Sequence, residues 1–241
     1  MLIEVKNISK SFDNNEILKD ISFSVDAGET LAIVGFSGSG KSTVLKIISG
    51  LIEKDSGTVS LAKCEIGMAF QYSALFDSMS VYENVAFALK ERDQFKKIYE
   101  ESEIKKIVRE KLEMVGLSGI EEKYPSELSG GMQKRVGFAR AIVTNPRIIL
   151  YDEPTSGLDP VSSTVIEEYI VKLKKDLNAA SVVVTHQLST ITKTADRVIM
   201  LYKGQIVWQG TPVELLTSID PYAYQFVNAQ KEGPMIAVAH Q

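Results

Sequence analysis

A glycine-rich stretch, GFSGSGKST at residues 35–43, restricts the possible folds of this chain more than any other feature. The apolar run TLAIV directly precedes it, and a helical pattern begins at Lys41. A continuous apolar run is typical of a strand that is covered on both faces, as in parallel sheets. We therefore expect the chain to pass from a buried strand through a glycine turn into a helix, which predicts an α/β fold.

Composition excludes several classes of protein. The 241 residues suffice for one large domain or two small ones, and the net charge of -4 does not favour broad binding of nucleic acid. One cysteine, Cys64, excludes an internal disulfide framework and suits a reducing cytosol. The N-terminus lacks the apolar core of a signal peptide, and no apolar run approaches the roughly 20 residues that span a bilayer. These features predict a soluble protein, which remains free to bind to a membrane protein.

Hydrophobic periodicity outlines the order of the elements. Nine segments read as strands, namely LIEVKNIS, ISFSV, TLAIVG, GTVSL, EIGMAF, RIILYDEP, SVVVTH, RVIML and QIVWQ. Helices are expected at Lys41–Leu51, after a Ser80/Glu83 capping box, at Ser102–Val115, after Asp159-Pro160 and after a Thr211/Glu214 capping box. The mixed-sign charges between Lys90 and Lys111 indicate a solvated helix surface. The pattern predicts one α/β domain at residues 1–219, with a helical subdomain inserted at about 77–147, and a tail at residues 220–241.

The glycine-rich stretch matches the phosphate-binding pattern G-x-x-x-x-G-K-[ST] in its expected strand-to-helix setting. Glycines let backbone N–H groups wrap around phosphates, where side chains would obstruct the curve. Lys41 can reach the β- and γ-phosphates of a nucleotide, and the Ser42 hydroxyl can bind Mg²⁺. The predicted nucleotide-binding residues are Gly35, Phe36, Ser37, Gly38, Ser39, Gly40, Lys41, Ser42 and Thr43.

A second set of polar residues follows three other strands. Asp152 ends the apolar run IILY, at the strand edge where parallel sheets bind ligands, and is a candidate second anchor for Mg²⁺. Glu153 suits a general base that accepts a proton from the attacking water, although a capping or surface acid explains it equally well at this point. His186 is a candidate contact of the γ-phosphate, and Gln71 offers an amide near Mg²⁺ or water.

The stretch ELSGGMQKRVGFARAI at residues 127–142 begins a helix with two glycines. Glycine is a weaker helix start than Ser, Thr, Asp or Asn, so stability alone does not explain Gly130 and Gly131. Bare N–H groups and the positive end of a helix dipole suit a closely approaching anion, phosphate above all. Ser129, Gly130 and Gly131 are therefore candidate phosphate contacts.

In this order, these features resemble the ATP-binding cassette (ABC) family. GFSGSGKST is similar to its Walker A loop, IILYDE to its Walker B strand, and LSGGM at residues 128–132 to its signature motif. Met132 stands where many members carry Gln, so an amide is missing there. The resemblance covers nearly the whole chain and implies a P-loop NTPase (RecA-like) core, an N-terminal antiparallel β subdomain and an inserted α-helical subdomain.

The resemblance also implies roles for single residues. Gln71 resembles the Q-loop glutamine, Asp159 lies in SGLD, which is similar to the D-loop, and His186 resembles the switch histidine. Phe12 matches the aromatic that stacks on adenine. The family's catalytic base matches Glu153, which favours that role over a capping acid. The implied activity is ATP hydrolysis with Mg²⁺, coupled to transmembrane transport.

Partners are implied by the resemblance as well. Two cassettes of this family pack head to tail, so that the signature helix of one faces the ATP held by the other. One set of motifs then implies pairing with a second copy or with a homologous chain. ALFDSMSVYENV and the Met of the signature look like Mla-type, MCE-associated phospholipid transport ATPases. That branch implies permease subunits at the cytoplasmic face of the inner (plasma) membrane, an MCE-domain lipid-binding protein and a small cytosolic accessory subunit.

Several alternatives accompany this interpretation. An ATPase of an importer for amino acids or another small solute is the second candidate. A DNA-repair ATPase would need a long heptad coiled coil, which the sequence lacks. Apolar residues between Gln71 and Asn84 either contact a permease or pack inside the protein. The aromatics of the tail either clasp a partner subunit or fold back on their own.

Overall fold

The computed structural model describes residues 1–13, 15–92, 95 and 98–236. The chain forms two compact units. Unit 1 comprises Met1–Lys63 and Ala180–Gln241, and unit 2 comprises Cys64–Ala179.

Two sheets form unit 1. The first is antiparallel, with β1 (Ile3–Phe12) between β2 (Asn15–Val25) and β4 (Ser56–Leu61). In the second, β3 (Thr30–Val34) lies between β7 (Ala180–Val184) and β8 (Arg197–Tyr202), parallel to both, and β9 (Gln205–Gly210) pairs antiparallel with β8. Every residue of β3 and β7 is buried, as the continuous apolar runs predict.

The first hairpin is longer than the sequence pattern indicates. The prediction placed a strand only at ISFSV, whereas β2 begins at Asn15 and pairs with β1 from Phe12 onward. Register shifts interrupt this pairing, and Asn7 and Asp20 adopt φ of 50° and 55°. Bulges of this kind break the alternation of period two by which strands are recognised, so this part of the strand leaves no clear signal in the sequence.

Four helices complete the secondary structure that is described in unit 1: α1 (Lys41–Ile48), α6 (Leu188–Thr194), α7 (Pro212–Thr217) and α8 (Pro221–Val227). The prediction extended α1 to Leu51, but the helix ends at Ile48. Gly50, at φ +76°, takes the left-handed position that terminates helices, and the N–H of Leu51 donates to the carbonyl of Lys46 at 2.9 Å.

In unit 2, β5 (Ile66–Ala69) pairs parallel with β6 (Ile148–Asp152). Its helices are α2 (Val81–Glu91), α3 (Glu101–Met114), α4 (Gly130–Ile142) and α5 (Pro160–Leu177), with a 3-10 turn at Pro125–Glu127. Helices α2, α3 and α4 pack against one another. Of the segment predicted as a solvated helix surface, residues 93, 94, 96 and 97 lie outside the described residues.

The predicted α/β class with antiparallel N-terminal strands is confirmed. The capping boxes at Ser80/Glu83 and Thr211/Glu214 are present as expected. The proposed limits of the helical subdomain and of the tail stay predictions. Of the described tail residues, Tyr222 and Phe226 pack against a buried cluster of unit 1 that includes Val198, Met200 and Leu215. Residues 237–241, including His240, lie outside the described residues.

Candidate functional site

The glycine loop connects β3 to α1 in a conformation that demands glycine. Gly35, Gly38 and Gly40 have φ of +142°, +79° and +100°. A Cβ atom on Gly35 would lie 2.2 Å from the carbonyl oxygen of Leu201, and one on Gly40 would lie 2.6 Å from a methyl group of Leu18. At Gly35 and Gly40, both the backbone dihedral angle and the lack of space for a side chain therefore require glycine.

The first turn of α1 is open to an anion. Its N-cap, Gly40, has no side chain to satisfy the first N–H groups, and no acidic residue lies in the first turn. Lys41 is buried, and its Nζ donates to the carbonyl oxygens of Gly35 at 2.9 Å and Phe36 at 2.8 Å. Ser42 and Thr43 are half-buried in the same turn. This arrangement offers N–H groups, a cation and hydroxyl groups to a phosphate chain.

Two other candidates belong to unit 1. His186 is exposed and follows β7, which runs parallel to β3 with Val184 opposite Ile33. Because carboxyl ends of parallel strands share one edge, His186 and the glycine loop leave the sheet at the same edge. Phe12 is 43% exposed at the end of β1, and Lys10 Nζ lies 5.2 Å from its ring centroid. An exposed ring is suited to stacking on a planar base.

Unit 2 carries the two carboxylates at the end of β6. Asp152 and Glu153 are only 7% and 9% exposed. Gln71 follows β5, whose Ala69 lies opposite Tyr151 of β6, so Gln71 and Asp152 leave this strand pair at the same edge. Glu153 has φ of 47°, a left-handed conformation that costs a non-glycine residue about 1–3 kcal/mol and is concentrated at functional sites.

The segment after Glu153 turns twice before α5 begins. The N–H of Ser156 donates to the Glu153 carbonyl, and the N–H of Leu158 donates to the Thr155 carbonyl, both at 3.2 Å. Asp159 then caps α5, accepting from the N–H groups of two residues at 3.0 Å, and the helix expected after Asp159-Pro160 is present. Hydrogen bonds from the Ser162 side chain and backbone hold the pKa of Asp159 below its usual value.

Packing within the described part of the chain does not explain the two glycines that begin α4. Ser129 is the N-cap, and its hydroxyl accepts from the N–H of Met132 at 3.3 Å. Among the described residues, no atom lies within 4 Å of a Cβ built on Gly130, and one built on Gly131 makes ordinary contacts at 3.8 Å with Leu158 and Ser162. Neither glycine has a positive φ. The described chain thus has room for side chains at both positions.

Two basic residues of α4 make contacts that the sequence patterns do not predict. Lys134 Nζ donates to the carbonyl oxygens of Pro154, at 3.4 Å, and of Ser156. Arg140 donates to the carbonyls of Ser73 at 2.8 Å and Ala74 at 2.7 Å. Burial lowers the pKa of both side chains. A basic residue on a helix usually indicates a solvated face, and backbone carbonyls distant in sequence leave no pattern from which these contacts are predictable.

Each unit thus holds part of the predicted site. Unit 1 contributes the glycine loop, Phe12 and His186, while unit 2 contributes Gln71, Asp152, Glu153, the Ser129–Gly131 stretch and Asp159. The joint action of these residues on one nucleotide stays a prediction.

Comparison with known proteins identifies the family. The family described as "ABC transporter" matches residues 18–156, more than half of the chain. The chain is 43% identical over 265 residues to "Protein TRIGALACTOSYLDIACYLGLYCEROL 3, chloroplastic" of Arabidopsis thaliana, which covers 98% of this chain and 76% of that protein. It is 40% identical over 248 residues to "Probable ribonucleotide transport ATP-binding protein mkl" of Mycobacterium leprae (strain TN), which covers 97% of this chain and 70% of that protein.

A solved structure agrees with this assignment. The dimeric ATP-binding cassette MJ0796, bound to ADP and Pi in a post-hydrolysis state, superposes with a TM-score of 0.79 and 31% sequence identity. The match covers 88% of this chain and 99% of that chain. The chain therefore belongs to the ABC transporter family, as an ATP-binding and ATP-hydrolysing subunit.

Proposed function

We propose that this subunit binds Mg-ATP at the glycine loop and hydrolyses it with Glu153 as the general base, to drive transport of a phospholipid. The observation that carries the catalytic part is the pair of buried carboxylates, Asp152 and Glu153, at the end of a buried strand. Lys41 already donates to carbonyls of the glycine loop, and phosphate oxygens of ATP are the stronger acceptors for its ammonium group.

The donor set fits Mg²⁺. The Ser42 hydroxyl, the Asp152 carboxylate and the Gln71 amide are oxygen donors, and Mg²⁺ is typically held in such sites by one or two protein ligands together with phosphates and water. The described residues contain no cluster of three or more His, Cys, Asp or Glu side chains, so a site made of protein ligands alone is not indicated there. When bound, Mg²⁺ would neutralise charge that develops on the β- and γ-phosphates.

The chemical step uses the remaining candidates. Water attacks the γ-phosphorus, the bond from that phosphorus to the bridging oxygen breaks, and Glu153 accepts the proton that the water loses. His186 donates a hydrogen bond to the γ-phosphate, and Phe12 stacks on the adenine. The left-handed backbone at Glu153 supports this assignment, because strain of this kind persists where the surrounding structure fixes a functional side chain.

Two copies form the complete sites. Among the described residues, a Cβ on Gly130 would meet no atom within 4 Å and one on Gly131 would make ordinary contacts only, and the related cassette MJ0796 is dimeric. We infer that Ser129, Gly130 and Gly131 bind the γ-phosphate of ATP held by the partner subunit, with Asp159 near the same interface. Open N–H groups at a helix start suit this role.

Phospholipid is the proposed cargo. The Arabidopsis relative is named after a galactosyl diacylglycerol, which supports a glycerolipid cargo, and the motifs that resemble Mla-type ATPases favour a phospholipid within that class. Import of a small solute is the second candidate, because the mycobacterial relative is named for ribonucleotide transport. An MCE-domain protein and a small accessory subunit are further partners in the lipid interpretation.

Permease subunits are the proposed membrane partners, at the cytoplasmic face of the inner membrane. None of the helices among the described residues is long and apolar enough to cross a bilayer. In unit 2, Tyr72 is 84% exposed and Phe76 is 42% exposed. The loop from Phe76 to Met79 is fixed by the buried side-chain amide of Asn84. This amide accepts from the N–H of Phe76 at 2.8 Å and donates to the carbonyl of Met79 at 3.1 Å. An aromatic surface on a fixed loop is suited to a partner helix.

Affinity purification of the intact complex from native membranes tests the cargo and the permease together. We expect an integral membrane subunit and bound phospholipid by mass spectrometry, and ATP turnover that rises with added phospholipid and not with an added ribonucleoside monophosphate. Tyr72→Ser should lose the membrane subunit, whereas Ile98→Ser, an exposed apolar residue elsewhere in unit 2, should retain it. Stimulation by a ribonucleotide alone would contradict the lipid assignment and support the solute importer.

A further inference from the structure

Lys134 connects the helix that carries the signature glycines to the segment that carries Glu153. It lies in α4 slightly more than one turn after Ser129, about 8 Å along the helix axis. Its Nζ donates to the carbonyl oxygens of Pro154 and Ser156. Both acceptors belong to the doubly turned segment between Glu153 and Asp159, so one ammonium group holds this segment from the side of α4.

Apart from Lys134, the held segment is fixed at its two ends and by the two turns between them, and Pro154 and Thr155 are buried. Glu153 begins it with a left-handed backbone, and Asp159 ends it as the cap of α5. Between them lies Gly157, exposed and at φ +73°, and a Cβ atom on it would meet no described atom within 4 Å. The contacts of Lys134 with the Pro154 and Ser156 carbonyls therefore lie between the left-handed Glu153 and the exposed Gly157.

The charge of Lys134 also acts on Glu153. Burial lowers the pKa of Lys134, while the attraction of the Glu153 carboxylate opposes that shift. A partly desolvated ammonium group near a buried carboxylate interacts with it more strongly than a surface ion pair does. Lys134 thus contacts the backbone that orients Glu153, and its charge attracts the Glu153 carboxylate.

We propose that Lys134 is a positioning residue, through which contact of Ser129 with the partner's ATP sets the orientation of Glu153 in its own subunit. This inference rests on the function proposed above. A helix transmits a shift of its first turn to the residues of its second turn, because its backbone hydrogen bonds keep it rigid. Lys134 passes that shift to the segment, so each ATP site affects the other.

The adjacent residue offers a matched control. Arg135, on the same helix, donates from its guanidinium to the carbonyl oxygen of Gly116 at 3.3 Å. Lys134→Met and Arg135→Met each remove from α4 one cation that donates to backbone carbonyls, two for Lys134 and one for Arg135. Only the first removes a contact with the Glu153–Asp159 segment.

Steady-state ATPase kinetics of the assembled transporter, with ATP binding measured separately by a fluorescent analogue, test the inference. For Lys134→Met we expect kcat to fall about 10- to 100-fold, the scale of a small misplacement of a catalytic group. KM and analogue affinity should change less than about threefold, because the phosphate contacts are untouched. The Hill coefficient for ATP should fall towards 1. Lys134→Arg should restore most of the turnover, and Arg135→Met should retain it.

The outcomes separate this inference from the function on which it rests. If the wild type hydrolyses ATP and Glu153→Gln does not, the proposed function stands, and wild-type kcat and Hill coefficient in Lys134→Met would overturn the positioning role alone. Equal loss in Arg135→Met would also overturn it, since general loosening of α4 would then suffice. If Lys134→Met fails to fold, Lys134→Gln is measured instead against the same expectations.

Discussion

Glu153 is the residue at which backbone strain, burial and charge coincide. Its φ of 47° and its 9% exposure are both unfavourable for an acidic side chain in an ordinary turn. Pro154, which has no N–H group, follows it directly. The fold maintains this conformation by burying β6 completely before it and by forming two hydrogen-bonded turns after it.

Replacing the carboxylate while retaining its shape isolates the chemistry. Glu153→Gln should reduce ATP turnover by about 10²- to 10⁴-fold, the usual effect of removing a general base. Binding of ATP and Mg²⁺ should remain, and ATP should then trap a stable dimer, visible by size-exclusion chromatography with light scattering. Near-normal turnover would show that another residue accepts the proton.

Substitution of Gly130 should change the stability of the subunit and its ATP turnover in opposite directions. Because a Cβ on Gly130 meets no described atom within 4 Å, Gly130→Ala should not destabilise the subunit. Reduced freedom of the unfolded chain should instead raise the free energy of unfolding by up to about 1 kcal/mol. ATP turnover should nevertheless fall, since the methyl group separates α4 from the partner's ATP. Urea unfolding and ATPase assays measure the two effects, and unchanged turnover would refute the close approach.

At the scale of the element, α4 connects three functional segments of unit 2. Its first residues carry the signature glycines, Lys134 holds the segment after Glu153, and Arg140 holds the loop after Gln71. Gly137 lies against that same loop, and a Cβ there would approach the backbone oxygen of Ser73 to 3.3 Å. Ser73 and Ala74 have φ of 55° and 49°, so their carbonyls depend on a strong donor to stay in place.

Removing the hydrogen bonds of Arg140 to Ser73 and Ala74 should reduce the response of ATP turnover to the permease more than ATP hydrolysis itself. Arg140→Met leaves two carbonyls without their charged donor, which should lower the free energy of unfolding by about 1.5–3 kcal/mol. The permease-stimulated part of ATP turnover should fall more than the basal part, because the loop that bears Tyr72 loosens. Arg140→Lys should recover little, since an ammonium group does not reproduce two parallel N–H bonds. Equal loss of basal and stimulated turnover would contradict the coupling role.

The helices and strands also show which parts of the fold are predictable from the sequence and which are not. Fully apolar strands, capping boxes and the glycine loop are local patterns, so β3, β6, β7 and the start of α5 were predictable. The first half of β2 was not, because bulges erase the alternation. Lys134 and Arg140 were missed because their acceptors are backbone carbonyls that the fold alone brings near, and the joint action of residues from the two units rests on the family motifs.

At the scale of the whole molecule, the described part of the tail contributes to the core of unit 1. The buried amide of Gln225 pairs with the backbone of Met235, accepting from its N–H and donating to its carbonyl, both at 2.8 Å. Met235 and Ala223 are buried in the cluster that contains Met200. Truncation after Ile219 should therefore lower the free energy of unfolding by about 2–5 kcal/mol, as loss of large core side chains does. Because the truncated subunit is destabilised, its assembly does not test whether the tail binds a partner subunit.

Tyr224 gives a cleaner test of the clasp, because it is 47% exposed while its neighbours Ala223 and Gln225 are buried. If the tail reaches a partner subunit, Tyr224→Ala should lower the nucleotide-free dimer fraction in the assembled complex by native mass spectrometry. Thermal stability of the isolated subunit should not change. Unaltered assembly would restrict the described tail to packing within its own subunit.

Mixing two inactive variants tests the central claim, that each ATP is hydrolysed between two copies of this chain. Lys41→Ala removes the phosphate contact of its own subunit. Gly130→Glu places a negative charge against the partner's ATP, yet it preserves the Ser129 cap and suits the positive end of α4. Each variant alone should be inactive.

In a mixture, half of the randomly exchanged dimers contain one copy of each variant and one intact site. Independent sites would give about a quarter of wild-type turnover, and the coupling inferred through Lys134 lowers the recovery below that limit. ATPase activity of the mixture, with native mass spectrometry to count mixed dimers, is the decisive measurement. Recovery of activity in proportion to the mixed dimers is the predicted result. Full turnover by Gly130→Glu alone, or an inactive mixture in which mixed dimers are present, would contradict it.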